Sequence, residues 1–282
     1  MMPSATVEHL LQKAKQQLSK TSDSPALDSE ILFRHITNYS TTELIRESES
    51  KVSDINESHF WQLILEREKG TPIAYLVGKR EFWSLDFAVN ESTLIPRPDT
   101  EILLEQAIKI TQQQPYCKVL DLGTGSGNIA ISIAHECPTA NITAVDISSD
   151  ALNIAQQNAT RLGVQNVRFL LSDWFNKLTT ERFDLIASNP PYVAKDDEHL
   201  LCGDVRFEPR SALISGDQGL DDIKHIARHS LNFLEENGQI LIEHGATQGA
   251  KVRSILHNVG FSRCETFNDL SNNERVSKSQ LL

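Results

Sequence analysis

Residues 119–134 read VLDLGTGSGNIAISIA. Its first four residues predict a buried strand; Gly123, Gly125 and Gly127 predict a tight turn, and the apolar spacing beyond Asn128 predicts a helix. Strand, glycine turn and helix in that order form the edge of an open α/β sheet, where a ligand can lie against main-chain N–H groups. Downstream the rhythm repeats. NITAVDIS, VRFLLSD, FDLIASN and GQILIEHG read as strands, and SDALNIAQQNATRLG, GLDDIKHIARHSLNFLEENG and TQGAKVRSILHNVG read as helices. This alternation predicts an α/β fold with a mostly parallel sheet covered on both faces. The tail FSRCETFNDLSNNERVSKSQLL is expected to add one or two closing strands.

Upstream the pattern is helical. VEHLLQKAKQQL and DSEILFRHI carry apolar residues at helical spacing, and NESHFWQLILEREKG reads as a helix capped by Asn56 and stopped at Gly70. KREFWSLDFAVN reads as a short hairpin, and PRPDTEILLEQAIKI opens a helix capped by Asp99 or Thr100. The expected division is a small helical domain over 1–75, a linker with the hairpin over 76–97, and the α/β domain over 98–282.

Composition narrows the function classes. The chain has 282 residues, 39% hydrophobic and 23% charged, with a formal net charge of −11. That charge disfavours affinity drawn mainly from phosphates and suits a basic protein partner or a small ligand, so no direct nucleic-acid contact is expected. No apolar run approaches the ~18–20 residues of a membrane span, and the first residues lack a signal peptide's apolar core. Cys117, Cys137, Cys202 and Cys264 form no CxxC pair, so neither a metal site nor a disulfide framework is expected, and a reducing cytoplasm is the default.

The glycine turn by itself suits a dinucleotide or S-adenosylmethionine. A dinucleotide fingerprint spaces its glycines G-x-G-x-x-G, and here the third comes one residue early. Asp121 precedes the turn. Asp146 ends the second strand, where a carboxylate can accept both ribose hydroxyls; otherwise it is a solvated strand end or a helix cap, a role Ser148 or Ser149 also fits. Asp173 can accept from an adenine amino group, and Trp174 either covers the adenine or packs under its loop. Together these strand ends favour S-adenosylmethionine.

The fourth strand runs into DLIASNPPYVA, residues 184–194. Two prolines cannot continue a strand ladder, and they hold the chain rigid beside the ligand edge. Asn189 Oδ1 and the Pro190 carbonyl can each accept one hydrogen of a planar NH₂ group, with Pro191 stiffening the clamp and Tyr192 packing over the flat acceptor. Such a clamp turns the nitrogen lone pair toward a methyl donor and stabilises the charge that develops.

DLGTGSGNIA, AVDIS, SDWF and SNPPY together resemble class I S-adenosylmethionine-dependent methyltransferases that modify planar nitrogens. TPIAYLVGKREFWSLDFAVNESTLIPRPDTE, GDVRFEPRSALISGDQGLDDI and LIEHGATQG closely resemble the release-factor glutamine methyltransferase (PrmC, also called HemK) family. The resemblance implies a Rossmann-like methyltransferase domain behind a helical substrate-recognition domain. It also implies N5-methylation of the glutamine in the Gly-Gly-Gln motif of class I peptide-chain release factors, with S-adenosylhomocysteine as product. Carried over, Gly123, Thr124, Gly125, Ser126, Gly127, Asp146, Trp174 and Asn189 contact the methyl donor. Asn189, Pro190, Pro191 and Tyr192 hold the glutamine, Asn189 and Pro190 being catalytic.

Other residues keep two readings. Arg97 pairs with a ligand carboxylate or substrate group, or with Glu101 four positions on. Glu208 and Pro209 shape a substrate loop or serve structure alone. Glu243 and His244 end a strand near the pocket, His244 as a structural residue. An adenine-N6 DNA methyltransferase, a methyltransferase of another protein glutamine, a non-enzymatic nucleotide sensor and a dehydrogenase are the competing functions.

Overall fold

A computed structural model describes residues 5–281. The chain divides into two compact units. One reaches to Lys79 and takes in Leu201–Phe207; the other holds Arg80–Leu200 and everything from Glu208 onward.

The first unit contains α1 (Val7–Leu18), α2 (Pro25–Thr37), α3 (Thr41–Arg46), α4 (Asp54–Glu68) and α5 (Ile73–Val77). Their apolar stripes meet in a core of Leu10, Leu18, Leu32, Phe33, Phe60 and Ile64, all fully buried, with Phe33 and Phe60 edge to face at 5.4 Å. Ser53, not Asn56, caps α4: the Asn56 N–H donates to Ser53 Oγ at 3.3 Å, which places Asn56 in the first turn. A serine hydroxyl caps as well as an asparagine amide, and Ser53 comes first. Buried Asp28 accepts from Arg67 Nε at 2.7 Å, and Arg67 also reaches Asp204 at 3.2 Å. That second pair helps to hold Leu201–Phe207, which lies far along the sequence, within this unit.

From Arg80 the second unit opens within the hairpin of β1 (Lys79–Phe82) and β2 (Leu85–Ala88). Trp83 and Ser84 turn it at φ +52° and +58°, a two-residue turn of the kind usually made by Asn-Gly. There follow α6 (Thr100–Thr111), β3 (Lys118–Leu122), α7 (Asn128–Glu136), β4 (Asn141–Asp146), α8 (Ser149–Arg161), β5 (Val167–Leu171) and β6 (Phe183–Ser188). The chain closes with α9 (Asp221–Ser230), β7 (Leu234–Glu243), α10 (Gly249–Val259), β8 (Ser262–Asn268) and β9 (Glu274–Gln280).

Seven of these strands form one sheet in the order β5-β4-β3-β6-β7-β9-β8. The five from β5 to β7 are parallel, and β9 joins β7 antiparallel with β8 outside it. Alternate residues feed two cores. Val119, Ile142, Leu185 and Leu241 join one with Leu103, Leu104 and Ile131; Leu120, Leu122, Ile186 and Ile242 join the other with Ile223, Ile226 and Leu256. Burial on both faces explains why these strands read as continuous apolar runs.

The expected helix running from Gly219 to Gly238 is shorter than its pattern suggests. It ends at Ser230, and LEEN begins a strand. Leu234 is fully buried and pairs with Phe183, so completing the sheet outweighs the helical charge pattern of Glu235 and Glu236. The chain builds outward from β3 to β5 and then returns to β6 on the other side of β3. Ligands in such sheets bind outside the carboxyl ends at this reversal.

Candidate active site

The carboxyl ends of β3 to β6 surround a cavity of about 380 Å³, lined among others by Gly123, Gly125, Asp146, Asp173, Trp174 and Asn189. Gly123, Gly125 and Gly127 have φ of +74°, +54° and +84°, yet they serve different ends. A methyl group on Gly125 meets nothing within 4 Å, so its open side faces space. A methyl on Gly127 falls 2.6 Å from Ile131 Cδ1 and 3.1 Å from the Ala155 methyl, so this glycine lets α7 pack on α8.

Asp146 organises the turn. Its Oδ2 accepts the Gly125 N–H at 2.8 Å and its Oδ1 the Ser148 N–H at 2.9 Å, leaving each oxygen a further lone pair. Burial raises its pKa, and these N–H groups pull the other way. Ser148 itself caps α8 by accepting from the Ala151 N–H. Trp174 sits at φ +44°, unusual for a bulky residue. Its ring lies 3.6 Å from where a Cβ on Gly123 would stand. Ser172 Oγ donates to the Trp174 carbonyl at 3.0 Å and accepts from the Lys177 N–H, which keeps the loop in that conformation.

On the other side, β6 delivers Asn189. Its Nδ2 donates to Thr100 Oγ1 at 3.1 Å. Thr100 is the buried first residue of α6 and lies near the carboxyl of Glu243 at the end of β7. Burial pushes the Glu243 carboxyl up to about 7; Thr100 lowers it, Asp99 raises it, and Arg275 and Tyr192 lower it. Tyr192 reaches Glu243 Oε1 at 3.5 Å. Burial and the Glu243 charge raise its phenol pKa, so it stays protonated. The Asn-Pro-Pro-Tyr segment is pinned downstream as well. The Val193 N–H donates to the Leu213 carbonyl at 2.8 Å, and Gln248 Nε2 donates to the Tyr192 carbonyl at 3.0 Å.

Comparison with known proteins turns this geometry into a family. A methyltransferase domain model matches residues 113–273, and a PrmC N-terminal domain model matches residues 9–78. The release factor glutamine methyltransferase of Escherichia coli is 46% identical over 270 residues, covering 96% of this chain and 97% of that protein. That of Vibrio cholerae is 42% identical over 279 residues, covering 98% and 97%. The chain belongs to the release factor glutamine methyltransferase family. A methyltransferase structure from Pyrococcus furiosus, with a TM-score of 0.53 at 16% identity, covers 79% of this chain and 98% of that one, and shares its fold.

Not every residue singled out in this release factor glutamine methyltransferase relative lines the cavity. Gly123, Gly125, Asp146, Asp173, Trp174, Asn189, Pro191 and Pro209 do. Thr124 and Ser126 are buried beneath the turn, the Thr124 hydroxyl donating to Asp121 Oδ2 at 2.6 Å. Asp121 is itself fully buried, and desolvation pushes its carboxyl up to about 7. Pro190 is buried. The Tyr192 ring packs against the core that includes Leu220 and Ile242 and lies outside the lining.

Arg97 does not pair with Glu101. It pairs with Glu208, whose other oxygen accepts the Ile95 N–H at 3.0 Å, so the IPRP and RFEP segments are clipped together. Glu101 instead accepts the Trp83 N–H. His244 has partners on both ring nitrogens. It is buried, with one ring nitrogen on the Gly245 carbonyl and the other on Ser277 Oγ at 2.9 Å. Ser92, Thr93 and Leu94 line the cavity unforeseen, because their segment carries no chemical signature. Among the described residues no cluster of metal-ligating side chains occurs, and no helix is long and apolar enough to cross a membrane.

Proposed function

We propose that this enzyme transfers a methyl group from S-adenosylmethionine to the side-chain amide nitrogen (N5) of the glutamine in the Gly-Gly-Gln motif of class I peptide-chain release factors. The observation that carries the reading is one cavity whose lining joins Gly123, Gly125, Asp146 and Trp174 to Asn189. The first four suit an adenosine: an aromatic face, an open glycine backbone, and a carboxylate with a spare lone pair on each oxygen. When bound, S-adenosylmethionine supplies an electrophilic methyl, and the glutamine nitrogen takes it with its lone pair while the C–S bonding pair returns to sulfur, leaving S-adenosylhomocysteine.

The remaining work falls to the protein. An amide nitrogen is a poor nucleophile because its lone pair is delocalised into the carbonyl. Asn189 Oδ1 and the Pro190 carbonyl accept its two hydrogens, which orients the lone pair and stabilises positive charge as it grows. The prolines keep these acceptors from reorganising. No base is required beforehand, since the methylated nitrogen is acidic and loses its proton to solvent. The helical unit is the proposed docking surface for the release factor.

The test is methyl transfer from labelled donor to a class I release factor, to the same factor with its Gly-Gly-Gln glutamine changed to alanine, and to duplex DNA. Label on the intact factor alone supports the reading. Label on DNA, or on the factor lacking that glutamine, overturns it.

A further inference from the structure

The glycine turn has little stiffness of its own, since Gly123, Gly125 and Gly127 all sit at positive φ. Its shape is set by what holds its peptides. The Gly123 and Thr124 N–H groups each donate to the Val145 carbonyl at 2.9 Å, and the Gly125 N–H donates to Asp146. Those anchors come from β4. The next one does not: the Ser126 carbonyl accepts from Asn158 Nδ2 at 2.9 Å. Asn158 belongs to α8, is fully buried and does not line the cavity.

The same amide holds a second part of the wall. Asn158 Nδ2 also donates to the Ala88 carbonyl at 3.0 Å, and its Oδ1 accepts the Ala88 N–H at 2.7 Å. A main-chain N–H only donates and a carbonyl only accepts, so this amide has one orientation. Arg161 adds a bond to Oδ1 at 3.0 Å and another to the Asp86 carbonyl. Ala88 ends β2, and just beyond it the chain makes a tight turn of its own. Asn90 Oδ1 accepts the Ser92 N–H and hydroxyl, and the Asn90 carbonyl accepts the Thr93 N–H. That turn delivers Ser92, Thr93 and Leu94 to the cavity.

We propose that Asn158 is a positioning residue of the donor site, locking the glycine turn to the segment that carries Ser92, Thr93 and Leu94 and so presetting the cavity for S-adenosylmethionine. The proposal rests on the donor reading of that cavity, and it adds a residue that touches no reacting atom. Without the Asn158 amide, the Ser126 carbonyl and both main-chain groups of Ala88 lose a buried partner. Both segments then relax, and the cost of ordering them falls on donor binding.

The test is calorimetry with S-adenosylhomocysteine at a temperature where parent and variant are both fully folded, paired with turnover on release factor. Asn158→Ala is expected to weaken binding about 10–30-fold. The donor KM should rise by a similar factor while kcat at saturating donor stays within about threefold, because Asn158 makes no bond to the Asn-Pro-Pro-Tyr segment. A role in stability alone would lower Tm and leave the affinity of the folded protein at the parent's value, and that result overturns the proposal. Should Asn158→Ala not fold, Arg161→Met removes the exposed arm of the same network and is expected to weaken binding about three- to fivefold; parental affinity in that variant overturns the proposal. A parent that binds no S-adenosylhomocysteine overturns the donor role of the cavity and this proposal together. A parent that binds it but labels no release factor overturns the proposed acceptor alone, and the affinities still judge Asn158.

Discussion

The two sides of the cavity are built on different principles. Along β3, β4 and β5 the wall is backbone and strand end: a glycine turn, Asp146 bound to main-chain N–H groups, and Trp174 held by its own loop. Along β6 it is a side chain, Asn189, held from behind by Thr100 of α6, with Glu243 of β7 buried nearby. A backbone wall tolerates neighbouring change because its conformation is local. A wall of buried polar side chains depends on its partners, since one missing partner leaves another unsatisfied.

The largest effect expected is on the side of Asn189. Asn189→Ala removes the acceptor itself and should lower kcat on release factor by about 10²–10³-fold; near-parental single-turnover rates would remove Asn189 from the chemistry. On the backbone side, the glycines separate packing from binding. Gly127→Ala combines a left-handed φ with overlap on Ile131 and Ala155, which should destabilise the fold by about 2–4 kcal/mol, read as a lowered Tm. Gly125→Ala, whose methyl meets nothing, should lower Tm much less and weaken donor binding instead. Equal effects of the two on Tm would erase the distinction.

Asp146→Ala should weaken binding of S-adenosylhomocysteine about 10–100-fold, as expected for lost hydrogen bonds to a charged acceptor at about 1.5–3 kcal/mol. Calorimetry showing unchanged affinity would take the ribose role from it. The smallest effect is on pH. The folded protein holds Glu243 at about 7, above its ordinary 4.5. The raised value means that the fold favours the protonated form, so its stabilisation is complete below about 4.5 and is lost as pH rises through about 7. Asp121, also raised to about 7, titrates in the same window. Urea midpoints across it should therefore fall less steeply in Glu243→Gln than in the parent; parallel slopes would show that Glu243 ionises without cost.

Much of the backbone side is legible because its signals are local. A turn needing positive φ three times in five residues shows itself as Gly123, Gly125 and Gly127, and strand ends show themselves where apolar runs stop at Asp146 and Asn189. What stays hidden is what each glycine faces. Gly125 and Gly127 look equivalent in the chain, and only the approach of Ala155 from α8 separates them. The hairpin turn at Trp83-Ser84 lacks the usual glycine, and α9 stops early because Leu234 is needed in the sheet. Arg97 passes over nearby Glu101 for Glu208, a partner 111 positions away.

The sequence by itself determined an α/β sheet with a ligand edge, a helical region before it, and a rigid amide-bearing loop at that edge. These are written in periodicity and in residue types whose backbone preferences act over a few positions. Only the tertiary structure decided that Thr100, 89 residues before Asn189, stands behind its amide, with Glu243 buried nearby. Such a contact has no period and no motif. It exists because α6, β6 and β7 pack together and because buried polar groups must find partners wherever the fold places them.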